Sequence, residues 1–256
     1  MMSPLRDPHQ FRCLAALKDL IPTKSVISSY LFYDGGIEIG LAAANRFVIA
    51  HTNNYVISEF WACARFDPDR LVKIAEHVNN VRDLRMMYIM QESWPKYKDP
   101  FVRSALFFLL NRYSEEGYPS VGKLNFANYN PLVINRLKEM KKLENFHLNR
   151  TKEENFLIDL HDSSEQVSSD FVLIPAGKYH YNLFDHGKTV SHENTAVDHR
   201  EVVKEFEKLK RKGLLIYKKH PRLFDVYGDY NIKMINKHGM PTNKKEDSEE
   251  LIIANF

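Results

Sequence analysis

The chain has 256 residues, which suits one domain, or one core with an insert, and allows a substantial buried core. Its apolar fraction of 44% and charged fraction of 27% are ordinary for a soluble globular protein. The formal net charge of +3 is too small to establish a nucleic-acid partner.

The sequence carries no signal for secretion or for insertion into a membrane. No apolar run approaches the ~20 residues that a spanning helix needs, and residues 1–7 lack the apolar stretch of a secretory signal. Cys13 and Cys63 are too few for a disulfide framework, which favours a reducing environment. We therefore expect an intracellular protein without a membrane partner.

The first part of the chain predicts the opening of a doubly wound α/β sheet. Apolar side chains at helical spacing are followed by a β-branched and aromatic run, a pair of glycines, a second helical pattern and a second apolar run. This succession is typical of a nucleotide-binding α/β fold. The predicted elements are a helix at 9–21, a strand at 25–32, a helix at 37–45 and a strand at 46–50.

The middle of the chain is predicted to be helical, and the sheet resumes after it. We expect residues 59–140 to form a helical lobe, and residues 1–58 and 141–256 to form the α/β core. The predicted helices of the middle part are 54–64, 68–79, 81–92, 100–113 and 130–142. The later elements are strands at 156–160 and 170–174, a helix at 199–212, a strand at 214–217 and a closing hairpin at 225–236 and 251–256.

Three stretches carry a resemblance to a known family. The first is residues 99–117, which begin Asp99-Pro100-Phe101; the others are residues 194–217 and 242–252. Taken in order, these elements resemble the Dam family of DNA adenine-N6 methyltransferases over nearly the whole chain. The resemblance implies a Rossmann-like methyltransferase sheet with an inserted helical target-recognition lobe. It also implies S-adenosylmethionine as cofactor and DNA as substrate.

The family's catalytic Asp-Pro-Pro-Tyr is replaced here by Ile174-Pro175-Ala176-Gly177. In the family, the Asp side chain and a Pro carbonyl accept hydrogen bonds from the amine of a flipped adenine, and the Tyr ring stacks on that base. Ile174 offers no acceptor and Gly177 no ring, so we predict no catalytic residue. The alternative is a rebuilt loop, with replacements taken from Tyr179, Tyr181, Asp170 and Asp185.

The residues at the cofactor positions are also altered. The family's Phe-x-Gly-x-Gly loop corresponds to a stretch that contains Tyr33, Gly35 and Gly36, but its last glycine is Ile37. These glycines fit a simple tight turn as well as a cofactor loop. His51 stands where an acidic residue would hold the ribose. The family's amino-terminal Lys-Trp-x-Gly-Gly-Lys signature is missing as well. We therefore expect that no cofactor is required, with vestigial S-adenosylmethionine binding as the alternative.

Five residues are candidates for contact with nucleic acid. They are Arg112 within the Dam-like block, Tyr118 and Lys123 in the segment that follows it, and Lys244 and Lys245 near the carboxyl terminus. Core packing explains Tyr118 equally well.

A histidine-rich stretch is the only candidate for a metal site, and we expect no metal there. Its spacing matches none of the usual zinc signatures, although imidazole and carboxylate suit several divalent ions. The residues are His180, Asp185, His186, His192, Glu193, Asp198 and His199.

The leading hypothesis is a catalytically inactive Dam-like protein, retained as a nucleic-acid-binding, structural or regulatory component. The alternatives are an active methyltransferase with a divergent loop, and a subunit that depends on an active partner. DNA is one expected partner, and a protein partner or a larger assembly is another. The resemblance implies a cytoplasmic or virion-associated location, because the family occurs in bacteria and their viruses.

Overall fold

A computed structural model describes residues 2–151, 169–179 and 197–256. Within these ranges the chain folds into one large sheet of eight strands with helices on both faces. The mixed α/β fold predicted from the sequence is therefore confirmed. The strands, in chain order, are β1 (Val26–Ser29), β2 (Phe47–Thr52), β3 (Phe146–Arg150), β4 (Phe171–Gly177), β5 (Lys212–Lys218), β6 (Asn231–Asn236), β7 (Pro241–Thr242) and β8 (Ser248–Ala254).

The strands lie in the order β3-β2-β1-β4-β5-β8-β6-β7. The first five are parallel neighbours, and β8 is antiparallel to both β5 and β6, between which it lies. The order without β8 is that of a Rossmann-like sheet, in which the direction of winding reverses beside β1. Ligands of such sheets bind at the carboxyl ends of the strands near this reversal, which here falls between β1 and β4.

The helices are α1 (Leu14–Leu20), α2 (Gly36–Ala42), α3 (Tyr55–Phe66), α4 (Pro68–Asn79), α5 (Leu84–Ser93), α6 (Pro100–Tyr113), α7 (Val133–Glu139), α8 (His199–Glu207) and α9 (Pro221–Val226). Helices α3–α7 lie between β2 and β3 in the chain, so the helical block is an insertion into the sheet. Whether the block is a separate lobe remains a prediction, because its buried side chains share one apolar cluster with those of the sheet.

Local sequence explains where the longest helix begins. The Asp99 carboxylate accepts hydrogen bonds from the backbone N–H groups of Phe101 and Val102, at 2.7 and 3.2 Å. Pro100 fills the first helical position, where no N–H partner is required. Within the part of the Dam-like block that follows, α6 is buried along most of its length. The Dam-like block therefore lies largely on a core helix. Packing of the core is enough to explain the apolar residues of this helix.

The two faces of the sheet have separate apolar layers. Phe171 and Leu173 of β4 belong to the layer that contains residues of α1, α2, α3 and α6. Val172, Ile174 and Ala176 belong to the opposite layer, with residues of α8 and α9. The alternation follows from the two-residue period of a strand. For this reason the side chain of Ile174 packs with α8 and α9.

Several predicted elements differ from the observed ones. The residues predicted as a strand and a catalytic loop, 170–177, form the single strand β4 from Phe171 onward, and its pairing with β5 is irregular between Pro175 and Gly177. The short elements β3 and α9 were not predicted, and the helix predicted at 199–212 ends at Glu207. The strand predicted at 156–160 lies outside the described residues.

Candidate functional site

The turn after β1 holds the glycines proposed for a cofactor loop. Gly35 has a φ of +71° and precedes α2 as its N-cap residue. A Cβ atom there would lie 3.0 Å from Ile39 Cδ1 and 3.1 Å from Trp61 Cζ2, and one at Gly36 would lie 2.7 Å from Asp34 Oδ2. The left-handed backbone and the close packing of Gly35 therefore favour glycine there, whereas a side chain at Gly36 would have to displace only the carboxylate of Asp34. Their role in cofactor binding stays a prediction.

Tyr33 lies against the helical insertion. Its hydroxyl donates to the carbonyl of Gly117 at 3.2 Å, and its ring centre lies 6.0 Å from that of Tyr118. Trp61 Nε1 donates to the Tyr33 carbonyl at 2.9 Å. Tyr33 and Tyr118, predicted for cofactor and nucleic acid respectively, therefore contact each other.

His51 is the last residue but one of β2 and is only 4% exposed. Its ring stacks on Tyr30, with 4.5 Å between ring centres and 8° between planes. Burial, with a smaller contribution from the charge of Arg211, lowers the pKa of His51 to about 4. Nε2 is buried without a hydrogen-bond partner among the residues described. At neutral pH this ring is uncharged and offers single hydrogen bonds, whereas a carboxylate would grip a ribose with two oxygens.

The four residues that the resemblance places at the catalytic position, Ile174–Gly177, are part of strand β4. Ile174 has no exposed surface, and its side chain lies in the apolar layer beneath α8 and α9. Gly177 has a φ of +77°, and a Cβ atom there would lie 2.4 Å from Cε1 of His9. The imidazole of His9 therefore fills the space that a side chain at position 177 would need. The side chains of Pro175 and Ala176 bring no acceptor or aromatic group to this edge.

The ring of His9 belongs to an amino-terminal segment, residues 3–12, that runs along the carboxyl edge of β1, β4 and β5. At one end Ser3 Oγ donates to the carbonyl of Asp34, just after β1. In the middle the backbone of Arg6 exchanges two hydrogen bonds with the side chain of Asn111 on α6, at 2.8 and 3.1 Å. At the other end the N–H of Arg12 donates to the carboxylate of Glu250 at 3.0 Å. The segment thus covers the edge at which Rossmann-like sheets bind ligands.

Asp7 of this segment lies close to two carboxyl groups beneath it, Asp34 and Glu38, and sequence analysis did not identify this group of three. Burial, followed by the charges of Asp7 and Glu38, raises the pKa of Asp34 well above its ordinary value. Burial also raises the pKa of Glu38, although Ser29 Oγ donates to its Oε1 at 2.7 Å and opposes the shift. Asp7 accepts from the N–H of His9 at 2.6 Å. No local sequence pattern could reveal this group of carboxyls. Asp7 lies near Asp34 and Glu38 only because the amino-terminal segment folds back over the sheet edge.

The five residues proposed for nucleic acid lie on different elements. Arg112, at the end of α6, is half-buried, and burial together with Arg6 and Arg136 lowers its pKa to about 10. Lys123 is exposed in the turn that pairs Ser114 with Leu124, and Tyr118 packs against Tyr33 as described above. Lys244 and Lys245 are exposed between β7 and β8. Lysines 123, 244 and 245 are accessible to a phosphate backbone, whereas Arg112 and Tyr118 have packing roles.

Most of the histidine-rich stretch considered for metal lies outside the described residues, namely His180, Asp185, His186, His192 and Glu193. Asp198 caps α8, and the ring Nδ1 of buried His199 lies 3.1 Å from the hydroxyl of Tyr217. Across the described ranges, no group of three or more His, Cys, Asp or Glu side chains is arranged to hold a metal ion. In the same ranges no helix has the length and apolarity that crossing a membrane demands.

Comparison with known proteins gives a fold-level likeness alone. No family model matches the chain, and no curated protein matches it in sequence. One similar solved structure is a TehB-like SAM-dependent methyltransferase from Corynebacterium glutamicum, at 7% identity and a TM-score of 0.39. The alignment covers 96% of this chain and 86% of that one. The assignment of a Rossmann-like α/β fold rests on the strand order of the chain itself.

Proposed function

We propose that the protein is a methyltransferase-like protein that does not methylate adenine and that serves as a nucleic-acid-binding component. The proposal joins the Dam-like stretches of the sequence to the residues found at the carboxyl end of β4. It requires no bound cofactor for function.

The observation that carries the proposal is the burial of Ile174. Methylation of adenine in this family depends on a carboxylate that faces the exocyclic amine of the extruded base. The side chain at this position is instead an aliphatic group with no exposed surface, packed with Val172 and Ala176. Leaving an unpaired carboxylate there would cost several kcal/mol, because the surrounding layer is apolar. The fold is therefore adapted to the absence of the acid.

A second observation concerns the space for the base. The ring of His9 lies directly against Gly177, so the volume of the family's stacking tyrosine is already filled by the amino-terminal segment. A flipped adenine would have to displace this segment, which hydrogen bonds tie to Asn111 and Glu250. The loss of the catalytic groups and the covered edge thus favour the same conclusion.

Nucleic-acid binding is supported by exposed cations near the carboxyl terminus. Lys244 and Lys245 are exposed, and Lys219 Nζ donates to the carbonyl of Lys245, which fixes the turn that carries them. Such lysines attract the phosphate backbone without reading sequence. The proposed mode of binding is therefore electrostatic.

Methyl transfer tests the first half of the proposal. The pure protein, incubated with radiolabelled S-adenosylmethionine and adenine-containing duplex DNA, should leave the DNA unlabelled. An active Dam-family enzyme under the same conditions provides the positive control. Label recovered in adenine would show that a divergent loop supplies the missing groups, and the proposal would be abandoned.

Salt dependence of DNA binding tests the second half. The logarithm of the affinity should fall linearly with the logarithm of salt concentration, and the double change Lys244→Gln with Lys245→Gln should reduce that slope by about 2. The matched control is Lys18→Gln with Lys24→Gln, two exposed lysines on and just after α1. An equal effect of both pairs, or no binding at low salt, would rule out this binding surface.

A second candidate is a subunit that depends on an active methyltransferase partner. The observation in its favour is a set of large apolar side chains, each more than a third exposed, on or just before α5: Val81, Leu84, Met86, Tyr88 and Ile89. Exposed apolar side chains of this kind mark protein–protein contacts. Co-purification from the native source would identify the partner, and a stable lone monomer would count against this candidate.

A further inference from the structure

An open pocket of about 490 Å³ lies at the carboxyl ends of β4 and β5, beside the amino-terminal segment. Lys178 follows β4 directly, Lys218 ends β5, and Lys219 follows it. Arg12 and His9 line the pocket from the amino-terminal segment. The volume is in the range of pockets that hold small molecules and cofactors.

The lining carries more positive than negative charge. The pocket is lined by four cationic side chains and one carboxylate, namely Arg12, Lys178, Lys218, Lys219 and Glu249. A second carboxylate, that of Glu250, is buried next to this lining. Glu250 neutralises Lys218, whose Nζ donates to its Oε1 at 2.7 Å. In the described part of the chain no ion pair is recorded for Arg12, Lys178 or Lys219. The pocket therefore has a surplus of cations.

Neutral acceptors hold two of these cations in place. Arg12 Nη1 donates to the carbonyl of Lys237, and Lys219 Nζ donates to the carbonyls of Lys245 and Glu246. Carbonyl oxygens orient a cation without removing its charge. Because these carbonyls already orient Arg12 and Lys219, less side-chain entropy is lost on binding an anion. This arrangement distinguishes the pocket from a mobile cluster of surface lysines.

We propose that this pocket binds the phosphate group of a nucleotide-sized ligand. A phosphate monoester carries close to two negative charges at neutral pH and offers several oxygens to cationic donors. The cation surplus matches this charge, and the location agrees with the carboxyl-edge rule for α/β sheets. The site goes beyond the proposed function, because it takes one phosphate group in a pocket and needs no nucleic-acid polymer.

Calorimetric titration of the full chain with adenosine monophosphate tests the proposal. Inorganic phosphate, adenosine and a single-stranded oligonucleotide with a 5′-phosphate are titrated in parallel. Adenosine monophosphate should bind, inorganic phosphate should bind more weakly, and adenosine should not bind. Binding of adenosine as tight as that of its monophosphate, or no binding of the monophosphate at millimolar concentration, would overturn the proposal. If the oligonucleotide also competes for the site, a strand end is a second source of the same phosphate chemistry.

Lys178→Glu is the informative variant, because Lys178 is exposed and makes no recorded ion pair in the described ranges. Its affinity for adenosine monophosphate should fall by about tenfold or more, the size expected for a lost charge-assisted hydrogen bond. Lys73→Glu, an exposed lysine on α4, is the matched control and should keep the original affinity. Equal affinities of the two variants would overturn the assignment, provided that both unfold at the temperature of the unmodified protein.

The outcomes separate this proposal from the proposed function. Duplex DNA bound without any binding of adenosine monophosphate would refute the pocket and retain the electrostatic surface. Binding of the monophosphate without binding of DNA would refute the electrostatic DNA-binding surface and retain the pocket. Radiolabel transfer to adenine would refute the inactive-enzyme proposal, whatever the calorimetry gives.

Discussion

At the scale of single residues, Gly177 connects the end of β4 to the amino-terminal segment. Its φ of +77° places it in the left-handed region, and the ring of His9 occupies the space beside its Cα. Both features favour glycine, one through the backbone and the other through packing. Glycine at this position therefore has a structural reason of its own.

Gly177→Ala should destabilise the fold more than Gly122→Ala does. Gly122 also has a positive φ, of +84°, but a Cβ there would have no neighbour nearer than 3.7 Å. The backbone alone should cost about 1–2 kcal/mol at each position, and the contact with His9 adds to this at position 177. Chemical denaturation measures the free energies of unfolding.

The double variant His9→Ala with Gly177→Ala provides the control for that prediction. Once the ring is removed, Gly177→Ala should cost no more than Gly122→Ala, because only the backbone term remains. If the cost at position 177 is unchanged without the ring, the contact with His9 is not what excludes a side chain.

The buried carboxyl of Glu38 gives stability a defined pH dependence. Burial raises its folded-state pKa above the unfolded value, so the ionised form costs stability above the folded-state pKa. That cost shrinks as pH falls below the folded-state pKa, and it is gone below the pKa of the unfolded state. Glu38→Gln keeps an oxygen acceptor for Ser29 and removes the ionisable group. The variant should be more stable than the unmodified protein at neutral pH, and the advantage should shrink on acidification.

Denaturation curves at a series of pH values test this expectation, with exposed Glu92→Gln as the control for a change of charge on the surface. An advantage of Glu38→Gln that is constant with pH would mean that ionisation of Glu38 is not its cause.

At the scale of elements, the amino-terminal segment is held by one buried carboxylate at its far end. Glu250 accepts from the N–H groups of Arg12 and Cys13 at 3.0 Å, and from Lys218 Nζ at 2.7 Å. Glu250 has no exposed surface, so its charge is balanced only within this group. The segment, β5 and β8 are therefore joined at a single point.

Glu250→Gln should loosen the amino-terminal segment and destabilise the protein by roughly 3 kcal/mol, because Lys218 loses its charge partner. Trypsin should then cleave after Arg6 or Arg12 faster than in the unmodified protein. The neighbouring exposed residue provides the control variant, Glu249→Gln. Equal cleavage rates in the two variants would show that Glu250 does not anchor the segment.

Element prediction succeeded where local signals are strong and failed where they are weak. The helix at Pro100–Tyr113 was predicted at its observed bounds, because Asp99 and Pro100 mark its start. Strand β3 was missed, since Phe146–Arg150 is polar apart from Phe146 and Leu148 and pairs with β2 alone. The loop predicted at Ile174–Gly177 was a strand instead, because pairing with β5 extends β4 to Gly177.

At the scale of the whole molecule, the covered carboxyl edge bears on cofactor binding. The glycines after β1 pack against Asp34, Ile39 and Trp61, and His51 is uncharged at neutral pH. Calorimetric titration with S-adenosylmethionine should therefore give no micromolar binding. Micromolar binding would show that the amino-terminal segment can leave the edge and that a pocket for the cofactor exists beneath it.

The sequence by itself determined the α/β class, the helical insertion and the aliphatic side chain at position 174, because periodicity, caps and residue identity are local properties. Only the tertiary structure decided that residues 3–12 cover the carboxyl edge, that His9 fills the space at Gly177, and that Arg12, Lys178 and Lys219 line one pocket. These contacts join residues far apart in the chain, and their geometry depends on the order in which the strands of the sheet are paired.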